Sequence, residues 1–228
     1  MTRHDDLAAN LAAVRERIAR ACDHAGRDPD EVTLIAVTKT FPADDIALLA
    51  DLGVRDVGEN RAQELAAKRE QIDVDVRWHF VGQLQRNKAG LVAANADVVH
   101  TADRVELVTA LDRHAATRRL TALVQVALDD APGRGGADPR EAETVADAIA
   151  ASTSLELGGV MGVAPLGADP DPAYAKLAKL AAAIRATRPG ADTMSAGMSG
   201  DLEAAIRHGA THVRIGTALL GHRASQVG

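Results

Sequence analysis

Lysine is scarce in this chain: five of its 26 basic residues are lysines and the rest arginines. One of the five, Lys39, stands in Thr38-Lys39-Thr40, directly after the apolar run 32–37. A lysine amine at the mouth of a buried strand loses part of its hydration, which depresses its pKa and prepares it to condense with an aldehyde as a Schiff base. The plain alternative is a stem that snorkels past the strand end and leaves its charge in water. Position alone does not separate the two.

Two further segments lie near the far end, Gly197-Met198-Ser199-Gly200-Asp201 and Arg214-Ile215-Gly216-Thr217. Each precedes a helical pattern. Free backbone N–H groups at a helix start favour a phosphate, and the hydroxyls of Ser199 and Thr217 add donors. Gly200 and Gly216 let backbone approach an anion closely. Either segment alone reads as an ordinary cap; two in succession favour an anion. Arg214 sits inside the run 213–215, where a buried charge needs a polar partner. A carboxylate on a neighbouring strand would serve, and so would a ring nitrogen of a bound cofactor.

Other polar residues have simpler readings. Asn60, after Gly58-Glu59, reads locally as a helix N-cap. His79, between Trp78 and Phe80, reads as a satisfied core histidine. The charged faces of the helices, with Arg86 and Lys88, read as solvated. Cys22 reads as a small buried residue. His208 and His212 are four apart with Gly209 between them, and no metal-ligand pattern emerges.

The elements that position these residues form a regular rhythm. A leading helix is expected over 5–25, where Leu7, Leu11, Val14, Ile18 and Ala21 recur at helical spacing and Gly26 stops the run. Strands are expected over 32–37, 54–57, 76–81, 96–99, 120–128, 155–163, 193–196 and 212–215. Helices are expected over 42–52, 60–72, 86–95, 103–118, 139–151, 171–187, 200–208 and from 217. Eight strand–helix units in a chain of 228 residues imply a parallel sheet closed into an α/β (β/α)8 TIM barrel with an extra N-terminal helix. An open doubly wound sheet is the alternative, but no Gly-x-Gly-x-x-Gly follows the first strand. No linker interrupts the pattern, so residues 1–228 read as a single barrel domain. In such a barrel, chemistry belongs to the loops after the strands, and phosphate sites to the last two of them.

Composition excludes other classes. Hydrophobic residues make up 46% and charged residues 25%, a globular balance. The net charge of −6 argues against nucleic acid. A single cysteine excludes an internal disulfide and a multi-cysteine zinc site. No apolar run reaches membrane-spanning length and no signal peptide is visible, so the cytoplasm is the expected compartment.

A lysine at the end of strand one, an anion cradle after strands seven and eight and an inward arginine on strand eight fit an aldehyde cofactor with a phosphate tail. Pyridoxal 5′-phosphate (PLP) is such a molecule, with Lys39 as the aldimine lysine and Arg214 facing the pyridine nitrogen. An arginine keeps its proton, so the ring stays a weak electron sink.

The sequence resembles the pyridoxal phosphate homeostasis proteins of YggS/PROSC type, themselves similar to the barrel domain of alanine racemase standing alone. The resemblance rests on Ala36-Val37-Thr38-Lys39-Thr40, Gly58-Glu59-Asn60 with Gln63-Glu64, and Trp78-His79-Phe80-Val81-Gly82 with Leu84-Gln85 and Asn87-Lys88. It continues in Gly197-Met198-Ser199 with Asp201-Leu202, and in Val213-Arg214-Ile215-Gly216-Thr217. It implies Lys39 as the cofactor lysine, Arg214 at the ring nitrogen, Ser199, Gly216 and Thr217 around the phosphate, and Asn60 and Met161 near the ring. It also implies a part in vitamin B6 balance, with PLP-requiring apoenzymes as candidate recipients. Two positions depart from the family pattern, Ala196 and Arg134, where methionine and lysine are common. A weakly active PLP-dependent amino-acid racemase is the alternative. Racemisation needs a second acid–base group, and Tyr174, the only tyrosine, falls on an expected outer helix. A small barrel of this kind is expected to be monomeric.

Overall fold

Leu7, Leu11, Val14, Ile18, Ala21 and Cys22 form one buried stripe on the leading helix α1 (Arg3–Ala25). Thr2 and Asp5 close its start as a reciprocal capping box, and Gly26 in the left-handed region (φ 65°) ends it. The computed structural model describes residues 2–115, 118–129 and 135–221. Arg134 and most of the glycine-rich segment around it lie outside the described residues.

Eight strands follow, β1 (Thr33–Val37), β2 (Asp56–Glu59), β3 (Arg77–Phe80), β4 (Val98–Ala102), β5 (Leu120–Val126), β6 (Leu155–Gly162), β7 (Thr193–Ser195) and β8 (His212–Ile215). All pair in parallel and in chain order, and β1 pairs with β8 to close a barrel. The helices between them are α2 (Ala43–Asp51), α3 (Ala62–Gln71), α4 (Ala89–Asn95), α5 (Val105–His114), α6 (Ala142–Ala150), α7 (Asp171–Thr187) and α8 (Leu202–Arg207), with α9 (Thr217–Leu220) after β8. The expected (β/α)8 architecture with its extra helix is therefore present. Helix α1 lies across the seam: Asn10 donates to the Leu219 carbonyl at 3.0 Å, and Arg3 pairs with Asp45 and donates to the Leu220 carbonyl.

The boundaries differ from expectation where local chemistry competes. Strand β2 begins at Asp56, not Val54, because Gly53 turns left-handed (φ 82°) and the Val54 N–H closes α2 on the Leu49 carbonyl. Strand β4 spans 98–102 rather than 96–99; His100 and Thr101 extend it although both are polar, since both point into buried space. The segment 86–88 is a 3-10 turn that precedes α4. Helix α5 stops at His114 rather than 118, α6 starts at Ala142 rather than 139, and α8 starts at Leu202 rather than 200.

Candidate functional site

At the exit of β1 the chain makes a tight turn that presents Lys39. Thr38 is fully buried; its N–H donates to the Gly58 carbonyl at 3.0 Å and its hydroxyl to Glu59 Oε1 at 2.6 Å. Thr40 takes the left-handed region (φ 68°), costly for a β-branched residue. Its N–H donates to Glu64 Oε1 at 2.6 Å, which holds the turn in place. One ammonium joins both anchors. Lys68 Nζ lies 2.7 Å from Glu59 Oε1, 2.8 Å from Glu64 Oε1 and 2.8 Å from the Thr38 carbonyl, filling its three donors. Lys39 itself is exposed and forms no ion pair among the described residues, which favours the exposed stem of the two readings its position left open, and it remains in the cavity lining.

The Glu59 carboxylate is fully buried and burial pushes its pKa up, against the opposing pull of Lys68 and Thr38. Its Oε2 has no hydrogen-bond partner among the described residues. Lys68 belongs to a helix face expected to be solvated; that reading is overturned, since only 7% of its side chain is exposed.

Asn60 does not cap α3, whose first residue is Ala62. It faces the barrel mouth beside Val81, with Gly82 packed so closely on its backbone that a Cβ there would lie 2.0 Å from the Asn60 carbonyl oxygen. Met161, on β6, is buried against Val98 and Leu123. Arg214 projects inward from β8, where it is buried and forms no ion pair among the described residues. Its Nη1 donates to Ser195 Oγ at 2.7 Å and its Nη2 to the Gly162 carbonyl at 3.1 Å. Desolvation pulls its pKa down, while Tyr174 and Asp201 oppose that. The carboxylate partner that a neighbouring strand could have supplied is not there.

Ser199 sits on a loop rather than at a helix cap. Asp201 organises that loop, accepting from the Met198 N–H at 2.7 Å through Oδ1 and from the Tyr174 hydroxyl at 2.7 Å through Oδ2. Gly197 is left-handed (φ 89°), and a Cβ on it would meet Ala205 Cβ at 2.7 Å. From outside, Arg17 of α1 donates to the Ser199 carbonyl at 3.1 Å and pairs with Glu203. On the neighbouring loop, Gly216 brings its backbone beside Val37 and Thr217 begins α9.

All seven residues singled out in the sequence line one cavity of about 360 Å³ at the C-terminal mouth of the barrel: Lys39, Asn60, Met161, Ser199, Arg214, Gly216 and Thr217. Val37, Val81, Val163, Met198 and Gly200 complete its lining. That size suits a small cofactor, and the mix of apolar wall with a few polar groups is that of a ligand site. Ala196, a departure from the family pattern, is buried in the core and outside the cavity lining. Sequence reasoning missed the Glu59–Lys68–Glu64 cluster and the Tyr174–Asp201 bond. It also missed the partners of His79, which is indeed a satisfied core histidine: the half-buried Asp56 on one side and the buried His100 on the other. The only signal for these was polar residues at strand positions such as Asp56, Glu59, His79 and His100; Glu64, Lys68 and Tyr174 lie on helices and gave none.

Comparison with known proteins agrees with this geometry. The family model of the alanine racemase N-terminal domain matches residues 9–224. A pyridoxal phosphate homeostasis protein of Mycobacterium bovis is 44% identical, over 97% of this chain and 94% of its own length. One of Escherichia coli is 39% identical, over 96% and 97%. Among solved structures, PipY of Synechococcus elongatus with PLP bound superposes with a TM-score of 0.82 at 32% identity, covering 94% of this chain and all of that one.

Proposed function

The chain belongs to the alanine racemase N-terminal domain family, and on that premise we propose that it binds pyridoxal 5′-phosphate at the C-terminal mouth of its barrel and serves intracellular vitamin B6 homeostasis. The observation that carries this reading is the convergence in one cavity of Lys39, the buried Arg214 and the Ser199 and Gly216–Thr217 loops. The relatives named for PLP homeostasis and the PLP-bound PipY support it.

The residues fit the cofactor. When bound, PLP supplies an aldehyde that condenses with a lysine amine and a pyridine ring that withdraws electrons. Among the described residues Lys39 is the only primary amine in the cavity lining, and its turn is anchored on both flanks. Arg214 uses two of its five N–H donors on protein acceptors, which leaves donors for a ring nitrogen. Ser199, Thr217 and the backbone at Gly216 offer donors to a phosphate, and Met161 and Asn60 flank the ring.

Holding the cofactor, rather than turning over an amino acid, is the activity this lining supports. Lys39 and Arg214 are its only side chains with an acidic or basic function among the described residues. Arg214 cannot serve as a base. Tyr174, the sole tyrosine, is fully buried and bonded to Asp201, outside the lining, with its pKa pushed up by burial. The second acid–base group of a racemase is therefore missing from the described site. We place the protein in the cytoplasm, with PLP-requiring apoenzymes as recipients.

An absorbance spectrum with added PLP, before and after borohydride, tests this directly. A near-visible band that disappears on reduction, with the pyridoxyl group mapped to Lys39 and absent from Lys39→Ala, is the expected result. A wild-type protein that stays colourless, or label retained in Lys39→Ala, refutes it.

A further inference from the structure

Five polar side chains cross the barrel interior in one unbroken line. Arg214 Nη1 on β8 donates to Ser195 Oγ on β7 at 2.7 Å. Ser195 Oγ lies 2.9 Å from His100 Nδ1 on β4. His100 Nε2 lies 2.8 Å from His79 Nδ1 on β3, and His79 Nε2 lies 2.8 Å from Asp56 Oδ1 on β2. Ser195, His100 and His79 are almost wholly buried. The two ends each reach a cavity: Arg214, itself buried, lines the C-terminal one, and the half-buried Asp56 lines a separate cavity at the opposite, N-terminal face, beside Arg15, Thr33 and Arg55.

The ends dictate the direction of every bond between them. Arginine has no acceptor, so Ser195 must accept from Arg214 and is free to pass its own hydrogen to His100 Nδ1. His100 then carries its hydrogen on Nε2 and gives it to His79 Nδ1. His79 likewise carries hydrogen on Nε2 and gives it to the Asp56 carboxylate. The reverse order would need a protonated Asp56 and would bring two donors onto Ser195 while its own hydrogen has no partner in the chain.

We propose that Asp56, His79, His100 and Ser195 are positioning residues for Arg214, forming a one-way hydrogen-bond chain that ties the cation beneath the cofactor ring to a counter-charge at the far face of the barrel. Arg214 is fully buried without an ion pair among the described residues, so a remote carboxylate reached through polarised hydrogen bonds offsets part of its desolvation. It also fixes the guanidinium with its remaining donors toward the cavity. Burial pushes the pKa of both histidines down; the charges that face them are Asp56, Asp97, Arg77 and Arg214, with His212 nearby. The functional part of this inference rests on the PLP reading, whereas the direction of the chain does not.

The test has two arms on the full chain. Nitrogen-15 NMR of the protein without ligand reads the tautomers: both rings should hold hydrogen on Nε2, with Nδ1 bare, between about pH 6 and 8. Hydrogen on Nδ1 of either ring, or a cationic ring, overturns the chain. The second arm measures PLP affinity in Asp56→Asn, which keeps the size of the side chain, removes its charge and exchanges one acceptor oxygen for an NH2 donor. Affinity should fall by about tenfold, and the tautomers should become mixed. His100→Leu should weaken PLP similarly, and His100→Gln, with one acceptor and one donor, should recover most of the loss. An Asp56→Asn protein with wild-type affinity overturns the positioning role. If the wild type itself fails to take PLP, the cofactor reading falls and the tautomers still decide the chain.

Discussion

Replacing Lys68 with methionine removes a buried ammonium while nearly conserving volume. Lys68 is the shared partner of Glu59, Glu64 and the Thr38 carbonyl, and Glu59 is wholly buried. Glu59 Oε2 already has no partner among the described residues, so the substitution leaves a carboxylate whose only direct hydrogen bond there is from Thr38. Breaking one side of a buried pair costs about 3–5 kcal/mol. In a domain of this size, about 2–4 °C of melting temperature follows each kcal/mol, so a fall of about 6–20 °C is expected. The pH dependence has a definite sign. Without Lys68 the folded-state pKa of Glu59 rises further above its unfolded value, so the folded protein binds the proton more tightly. The deficit is small below the unfolded carboxylate pKa of about 4.3 and grows as pH rises through the folded value. Urea denaturation of Lys68→Met, Glu59→Gln and the double variant at pH 7 closes the cycle. The double variant should recover most of the lost stability, because it removes the stranded charge. A single-variant loss under about 1 kcal/mol, the range of an exposed pair, or a double variant no better than Lys68→Met, would refute the reasoning.

Thr217→Val removes the hydroxyl proposed as a donor to the phosphate. PLP should bind about 10–150-fold more weakly, the equivalent of ~1.5–3 kcal/mol for a bond to a charged group, with the unfolding midpoint almost unmoved because Thr217 is exposed; an unchanged dissociation constant counts against the phosphate site. Gly197→Ala forces a Cβ to within 2.7 Å of Ala205 Cβ and 3.1 Å of Leu202 Cα at a positive φ. A stability loss of about 1–3 kcal/mol should accompany weaker PLP binding, and wild-type behaviour in both would show that the 198–201 loop is not held as described. Burial holds the pKa of His79 and His100 down and that of His212 at about 4. The unfolded chain therefore takes up protons near pH 6.5 that the folded protein refuses. Stability should fall as pH drops from about 6.5 toward 4, by up to about 1.4 kcal/mol per pH unit for each histidine, and a flat urea midpoint between about pH 7 and 5 would contradict it.

What could be read from the sequence, and what could not, follows from the range of the forces involved. Strand–helix alternation is local, so the barrel and the positions of its loops were legible. Lys39, Ser199, Arg214, Gly216 and Thr217 were legible because a barrel mouth is defined by where strands end and they lie at or near those ends, whereas Asn60 and Met161 came only from the family resemblance. The inner shell was hidden because its pairs are distant in sequence: Ser195 meets His100 across 95 positions, and Tyr174 meets Asp201 across 27. Strand β4 was placed too early for the same reason, since His100 and Thr101 look like a loop until an interior partner is known. Lys68 looked solvated because its helix is otherwise charged, and only the strand beneath it supplies Glu59.

The distribution of charge around the cavity bears on what it can do. Its ionic lining among the described residues is two cations, Lys39 and Arg214. The nearby carboxylates lie one layer back, each engaged in placing something else: Glu59 and Glu64 hold the Lys39 turn and Asp201 holds the Ser199 loop, while Asp56 stands at the far face. Such a lining attracts an anion and fixes its orientation at several points. A cationic cavity backed by carboxylates that are themselves hydrogen-bonded is the lining on which the proposed binding of a phosphorylated aldehyde rests.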